Sequence, residues 1–227
     1  AKPSILFIIG DGPREHIEGE AEIVEIGRKI VEQVDWECDL HVEFAKTNMG
    51  ARRRVATGLD LVFTAVDRAI ILEDDCLPDP TFFPFCNELL ERYKDSDEIS
   101  LISGNNHLKG TRVTENSYSF SWQGNTWGWA TWARVWKGFG GADGLKDNWT
   151  KQEREEILSR IPSRTWKRSF GRMLKSASKL DAWDIPFAVH CQEVGYLSVV
   201  PETNLVTNIG FGKESTHTKF ESLTLES

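Results

Sequence analysis

The stretch "IILEDDCLPDP", residues 70–80, runs from β-forming residues straight into three adjacent acids, Glu73, Asp74 and Asp75. Its first three residues form a short continuous apolar run and read as a buried strand. Upstream, residues 51–66 read as a helix with Val55, Leu59, Val62 and Val66 inward. "CDLHVEF", residues 38–44, alternates and reads as a strand. Residues 19–34 have helical spacing, with Ile23, Ile26, Ile30 and Val34 on one stripe. Ile5 to Ile9 form another buried strand, ended by the turn chemistry of "GDGPR". The order β–α–β–α–β predicts an α/β fold: a mostly parallel sheet with helices on both faces. Ligands of such sheets gather beyond the carboxyl ends of the strands. Asp11 and the triplet both follow strand ends, which predicts one shared crevice.

Downstream, residues 81–93 read as a helix, "ISLISG" (99–104) and "SYSFSW" (117–122) as strands, and 126–139 as a loop running into a helix. Residues 149–161 and 164–179 read as charged surface helices, and 196–212 as a strand, a turn and irregular backbone.

The 227 residues carry a net charge of −8, which argues against non-specific binding to nucleic acid or anionic membranes. No apolar run reaches the 18 residues a spanning helix needs, and no leader is visible. Cys38, Cys76, Cys86 and Cys191 are scattered without a CxxC pair. That spacing argues against a structural zinc site or a disulfide framework, and makes a reduced, cytoplasmic setting the default. Five of the nine tryptophans (Trp122, Trp127, Trp129, Trp132 and Trp136) fall within fifteen residues, which suits a dense core or a platform for sugar rings.

Three acids at one strand end repel one another, which raises their pKa values unless a cation balances them. Carboxylates suit Mg²⁺ or Mn²⁺, and such sites share the ion with substrate phosphates. The plain alternative is a solvated loop in which Asp74 or Asp75 caps the next helix.

In combination, "ILEDDCLPDPTFFPFCNELLERY", "ISGNN", "WGWATWARVW", "WD" and "NLVTNIGFGKESTHT" resemble a GT-A-fold nucleotide-sugar glycosyltransferase. The likeness is to bacterial family 2-type, hemolytic-protein-like transferases and, more distantly, to the N-acetylglucosaminyltransferase that begins complex N-glycans. It implies a single domain over 1–227, with 1–104 binding the nucleotide sugar and 105–227 carrying acceptor and catalytic groups. It implies Asp75 as the metal ligand, Glu73 and Asp74 on the donor's sugar or ribose, and Asp11 on a uracil base. It implies Asp184 as the base that follows Trp183, with Asp181 a nearby rival, and "GFGKESTHT" as a loop closing over the donor. The implied activity is inverting transfer of a hexosyl or N-acetylhexosaminyl group from a UDP-sugar to a hydroxyl acceptor, in the cytoplasm or peripheral at the inner membrane. The chain departs from the family by opening at what looks like its second strand, so a sheet lacking the first strand–helix unit is expected, with a gap beside residues 5–9. It departs again with "WDIPF" where the family often has "WDYQW".

Several residues keep two readings. His217 is a diphosphate or metal ligand, or a solvated loop histidine. Trp127 and Trp129 line the sugar site or belong to the core; Gly128 between them would let a ligand approach the backbone. Arg52, Arg53 and Arg54 oppose the dipole of their helix, which favours a phosphate or a neighbouring acid as partner. Asn105 and Asn106 reach a substrate or form a turn. A nucleotidyltransferase would want a glycine-rich phosphate loop, for which "GDGPR" is too thin. An inactive carbohydrate- or nucleotide-sugar-binding domain is the alternative function.

Overall fold

A computed structural model describes residues 1–106 and 115–210. The first unit is the strand β1 (Ile5–Gly10), the helix α1 (Glu20–Arg28) with a 3₁₀ turn over Lys29–Gln33, and the strand β2 (Asp39–Phe44). β1 and β2 pair in parallel, Ile5 opposite Asp39 through Gly10 opposite Phe44. Next come α2 (Ala51–Ala65), β3 (Arg68–Ile71), β4 (Cys76–Pro78), α3 (Phe82–Arg92) and β5 (Ile99–Ser103). The remainder holds β6 (Tyr118–Ser121), β7 (Trp129–Trp132), α4 (Ala133–Phe139), α5 (Lys151–Ser159), α6 (Arg164–Ser176), α7 (Asp184–Val194), β8 (Leu197–Pro201) and β9 (Val206–Asn208).

The α/β class holds, but the sheet is mixed rather than mostly parallel. Its five strands run β3-β7-β5-β8-β6, and only β5 and β8 pair in parallel. The correction comes from Trp129–Trp132. Read as a loop before a helix, this segment is a fully buried strand lying antiparallel to both β3 and β5. Its Trp-Ala-Thr-Trp sequence fills a pleated surface between two neighbours, and tertiary packing decides its conformation. Among the described residues β1 pairs with β2 alone, and no ladder joins that ribbon to the five-stranded sheet.

Side chains join the two sheets instead. Gly58 of α2 lies against β1; a β-carbon there would meet the Ile9 Cγ2 at 2.9 Å. Arg54, only 8% exposed, donates through Nε to the Gly10 carbonyl at 2.9 Å and through Nη2 to the Glu43 carbonyl. One guanidinium thus ties the ends of β1 and β2 to α2. Arg54→Met removes both charged bonds and leaves two carbonyls to find other donors. The expected loss is about 2 kcal/mol of stability by urea unfolding; an unchanged midpoint would show the clamp to be dispensable.

Two apolar clusters flank α7. Trp183, Phe187 and Cys191 join the main core with Trp129, Trp136 and Phe139, while Ile185 and Val189 join a smaller cluster with Ile157, Ile161, Phe170 and Leu174. Spacing of two and four residues places these sets on different sides of one helix. The α1 stripe differs: Ile23 and Ile26 are 69% and 67% exposed, and α1 buries none of its residues. The periodicity is helical, but the narrow two-stranded ribbon leaves that face uncovered among the described residues. All four cysteines are free thiols.

Candidate active site: two acidic centres at one end of the sheet

β3 ends at Ile71, and the acids follow as a turn. The Cys76 N–H donates to the Glu73 carbonyl at 3.0 Å, so Asp74 and Asp75 take the two central turn positions. Asp74 is exposed; Glu73 and Asp75 are half-buried. None of the three caps the next helix. Asp79 orders the turn that leads into it, accepting from the Thr81 N–H at 2.9 Å and the Thr81 hydroxyl at 2.6 Å.

Asp184 is exposed and is the first residue of α7. The buried residue before it, Trp183, stacks on Trp129 with ring centroids 5.3 Å apart and packs edge-on to Trp136 at 6.2 Å. This aromatic anchor sets where α7 begins, and so where Asp184 stands. Electrostatics shows the result. The Glu73 carboxyl is pushed up to about 7, first by burial, then by the charge of Asp75, and further by Asp184 and Asp74. The Trp183 indole N–H opposes this by favouring the ionised form. Residues far apart in sequence thus form one acidic group: the turn after β3 and the start of α7.

Trp127 belongs to the same end. Ile71 pairs with Trp129, so Leu72–Glu73 and Gly128–Trp127 leave the ladder opposite one another. Trp127 is half-buried, and its N–H donates to the Asn125 side-chain oxygen at 2.8 Å. Gly128 does not open the backbone to a ligand. A β-carbon there would meet the Val206 Cγ2 at 2.6 Å and the Leu72 Cδ2 at 3.2 Å, so packing fills the space. Trp129 and Trp132 are core residues.

Asp75 has a second neighbour. β4 and β9 form a short antiparallel ribbon, and the Ile209 N–H donates to the Asp75 carbonyl at 2.8 Å. The Asp75 carboxylate then lies where a side chain on Gly210 would have to be. Only glycine lets the backbone pass so close. His217 and the rest of "GFGKESTHT" after Gly210 lie outside the described residues.

The remaining predicted residues have other partners. Asp11 accepts from the N–H groups of Gly12 (2.8 Å), Met49 (2.9 Å) and Gly50 (3.0 Å) and from the Asn48 side-chain amide (3.0 Å). These donors fill the acceptor sites of a carboxylate, so Asp11 shapes the loop that starts α2. Asp181, which precedes α7, packs against that loop: its Oδ2 would be 2.5 Å from a β-carbon on Gly50, the residue at φ 79° that opens α2. Asp181 therefore lies against Gly50, while the charge of Asp184 acts on Glu73. Arg52 ion-pairs with Asp147, the neighbouring acid its helix position called for. Asn106 donates to the carbonyls of Pro201 (2.7 Å) and Glu202 (3.0 Å), and Asn105 is buried after β5; both shape the strand end. Arg54 was not singled out from its two neighbours, because the basic run gives no sign which member points inward.

A divalent ion suits this chemistry. Burial and three carboxylates dominate the shift at Glu73, and no cation is among the largest influences on it. Among the described residues no group of three or more His, Cys, Asp or Glu side chains forms a metal cage. Compared with known protein families the chain matches no family, and compared with curated proteins it matches none.

Proposed function

We propose that the chain is a metal-dependent, inverting glycosyltransferase that moves a sugar from a UDP-sugar to a hydroxyl acceptor. The observation that carries this reading is the placing of Asp184, at the start of α7 beside the anchored Trp183, near enough to the Glu73–Asp75 turn for its charge to act on Glu73. Inverting transfer needs a base on one side of the anomeric carbon and charge stabilisation on the other. Asp184 is exposed and takes the proton of the acceptor hydroxyl as its oxygen bonds to the anomeric carbon. The bond from that carbon to the diphosphate oxygen breaks, and the electron pair leaves with the diphosphate. A divalent ion, Mn²⁺ or Mg²⁺, held by Asp75 would supply charge neutralisation to the diphosphate. Glu73, half-buried between Asp75 and Asp184, accepts from a sugar or ribose hydroxyl, with Asp74 at the exposed edge. Trp127 contributes an apolar face beside the turn.

Calorimetric titration of UDP tests the metal half of the reading. Binding is expected to tighten at least about tenfold with Mn²⁺ over chelator, and Asp75→Asn is expected to remove that gain. UDP bound equally well in chelator and in Mn²⁺, or by the variant, would sink the assignment.

A further inference from the structure

The net charge of −8 conceals a local reversal. Between Glu156 and Asp181 the sequence has seven lysines and arginines and no acid. Five of them, Arg164, Arg168, Arg172, Lys175 and Lys179, are exposed on α6 and on the 3₁₀ turn Ala177–Lys179 that continues it. Their spacing of four, four, three and four residues places them within about 80° of arc and along about 22 Å of one helical edge. The opposite face is committed: Phe170 and Leu174 are buried in the small helical cluster. None of the five makes an ion pair among the described residues. Several other helix cations are paired, as Arg160 is with Glu156 and Lys94 with Glu91, while Arg53 and Lys137 are isolated single exceptions rather than a row. A row of exposed, unpaired cations repels itself, and an anionic surface relieves that repulsion.

We propose that this edge of α6 docks the protein on an anionic lipid bilayer. A plane of anionic headgroups can meet a straight row of cations along its whole length, and the row lies on one edge of one helix. Single-stranded nucleic acid is disfavoured as the partner, because the row presents no exposed aromatic ring for base stacking. α6 contributes charge alone, since its apolar face is already buried; the attachment is peripheral and salt-sensitive. The row ends at Lys179, and the chain then passes through Leu180, which is 41% exposed, to reach Asp184 five residues on. Docking would therefore hold the start of α7 close to the membrane surface. The inference stands on the charge pattern and does not depend on the sugar-transfer reading.

Vesicle co-sedimentation tests it on the whole chain. With phosphatidylcholine vesicles containing about 30% phosphatidylglycerol, the protein is expected to pellet at low salt and to be released by about 0.5 M salt. Pure phosphatidylcholine should not bind it. The triple variant Arg168→Glu, Arg172→Glu, Lys175→Glu is expected to lose on the order of a hundredfold in partitioning. Lys151→Glu, on α5, should leave partitioning unchanged. Circular dichroism and an unchanged melting temperature verify that the triple variant is folded. Failure of the unmodified protein to pellet with anionic vesicles would overturn the proposal. So would equal partitioning of a folded triple variant. Preferential binding to single-stranded RNA over the vesicles, or low-salt self-association that accounts for the pellet, would assign the row to another partner and overturn it as well.

Discussion

Asp184→Asn is expected to lower sugar transfer by about a thousandfold while leaving UDP binding within a factor of about three. The substitution keeps size and hydrogen-bonding shape but removes the proton acceptor. Asp184 is exposed and begins α7, so its loss leaves the buried anchor of Trp183 on Trp129 intact. Asp181→Asn serves as the comparison. Its carboxylate lies against Gly50 and is not among the groups that raise the Glu73 carboxyl most, so this variant should retain most of the activity. Single-turnover transfer with calorimetric UDP binding separates the two. Full activity in Asp184→Asn with loss in Asp181→Asn would exchange the two roles. No transfer by the unmodified protein with any UDP-sugar, alongside intact UDP binding, would favour a nucleotide-sugar-binding domain.

Glu73→Gln is expected to raise stability by about 2–3 kcal/mol at pH 8 and to leave it nearly unchanged near pH 4. Burial and the charges of Asp75, Asp184 and Asp74 raise the folded carboxyl from 4.5 to about 7. Between those values the folded protein holds a proton that the unfolded chain has released. Stability therefore falls as pH rises from about 4.5 through about 7, and the penalty is complete above that window. Partial exposure of the side chain keeps the effect below its unscreened size. The variant carries no titrating group there, so its stability should lack this fall. Urea unfolding in chelator at pH 4, 6 and 8 measures the difference; parallel curves for the two proteins would refute the coupling. A carboxyl made costly at neutral pH by its neighbours is a reason for the folded protein to welcome a cation at this end of the sheet.

Local pattern made much of the fold legible. The apolar run at Ile5–Ile9, the helical spacing over 51–66 and the strand before Glu73 each carry a signal within one element, and each element forms close to its expected bounds. What was not legible depends on distant pairing. Trp129–Trp132 becomes a strand because β3 and β5 accept it from either side, and nothing within four residues announces that. The three-residue strands β4 and β9 are too short to have a period at all, yet they bring Gly210 to Asp75. At the site, the turn chemistry of "EDDC" was readable, whereas the approach of Asp184 rests on an aromatic stack between residues 54 positions apart. Asp11 shows the converse. A lone acid after a strand reads as a ligand-binding group, but the donors that occupy it lie on a loop whose path only the tertiary fold sets.

The ribbon of β1 and β2 has a consequence for cooperativity. The five-stranded sheet is held by ladders linking residues up to about a hundred positions apart, whereas the ribbon pairs residues 34 apart and meets the rest through Arg54, Gly58, the packing of α2 and the bonds of Asp11 to the 48–50 loop. Opening the ribbon therefore breaks side-chain contacts, the Arg54 clamp and the Asp11 bonds, and it leaves every ladder of the larger sheet intact. The expected low-energy opening is one in which the first 44 residues are released while the turn bearing Glu73 and the start of α7 stay in place. Amides of β1 and β2 have a route to solvent exchange that bypasses global unfolding, and heat absorbed by the whole protein need not be absorbed in one step.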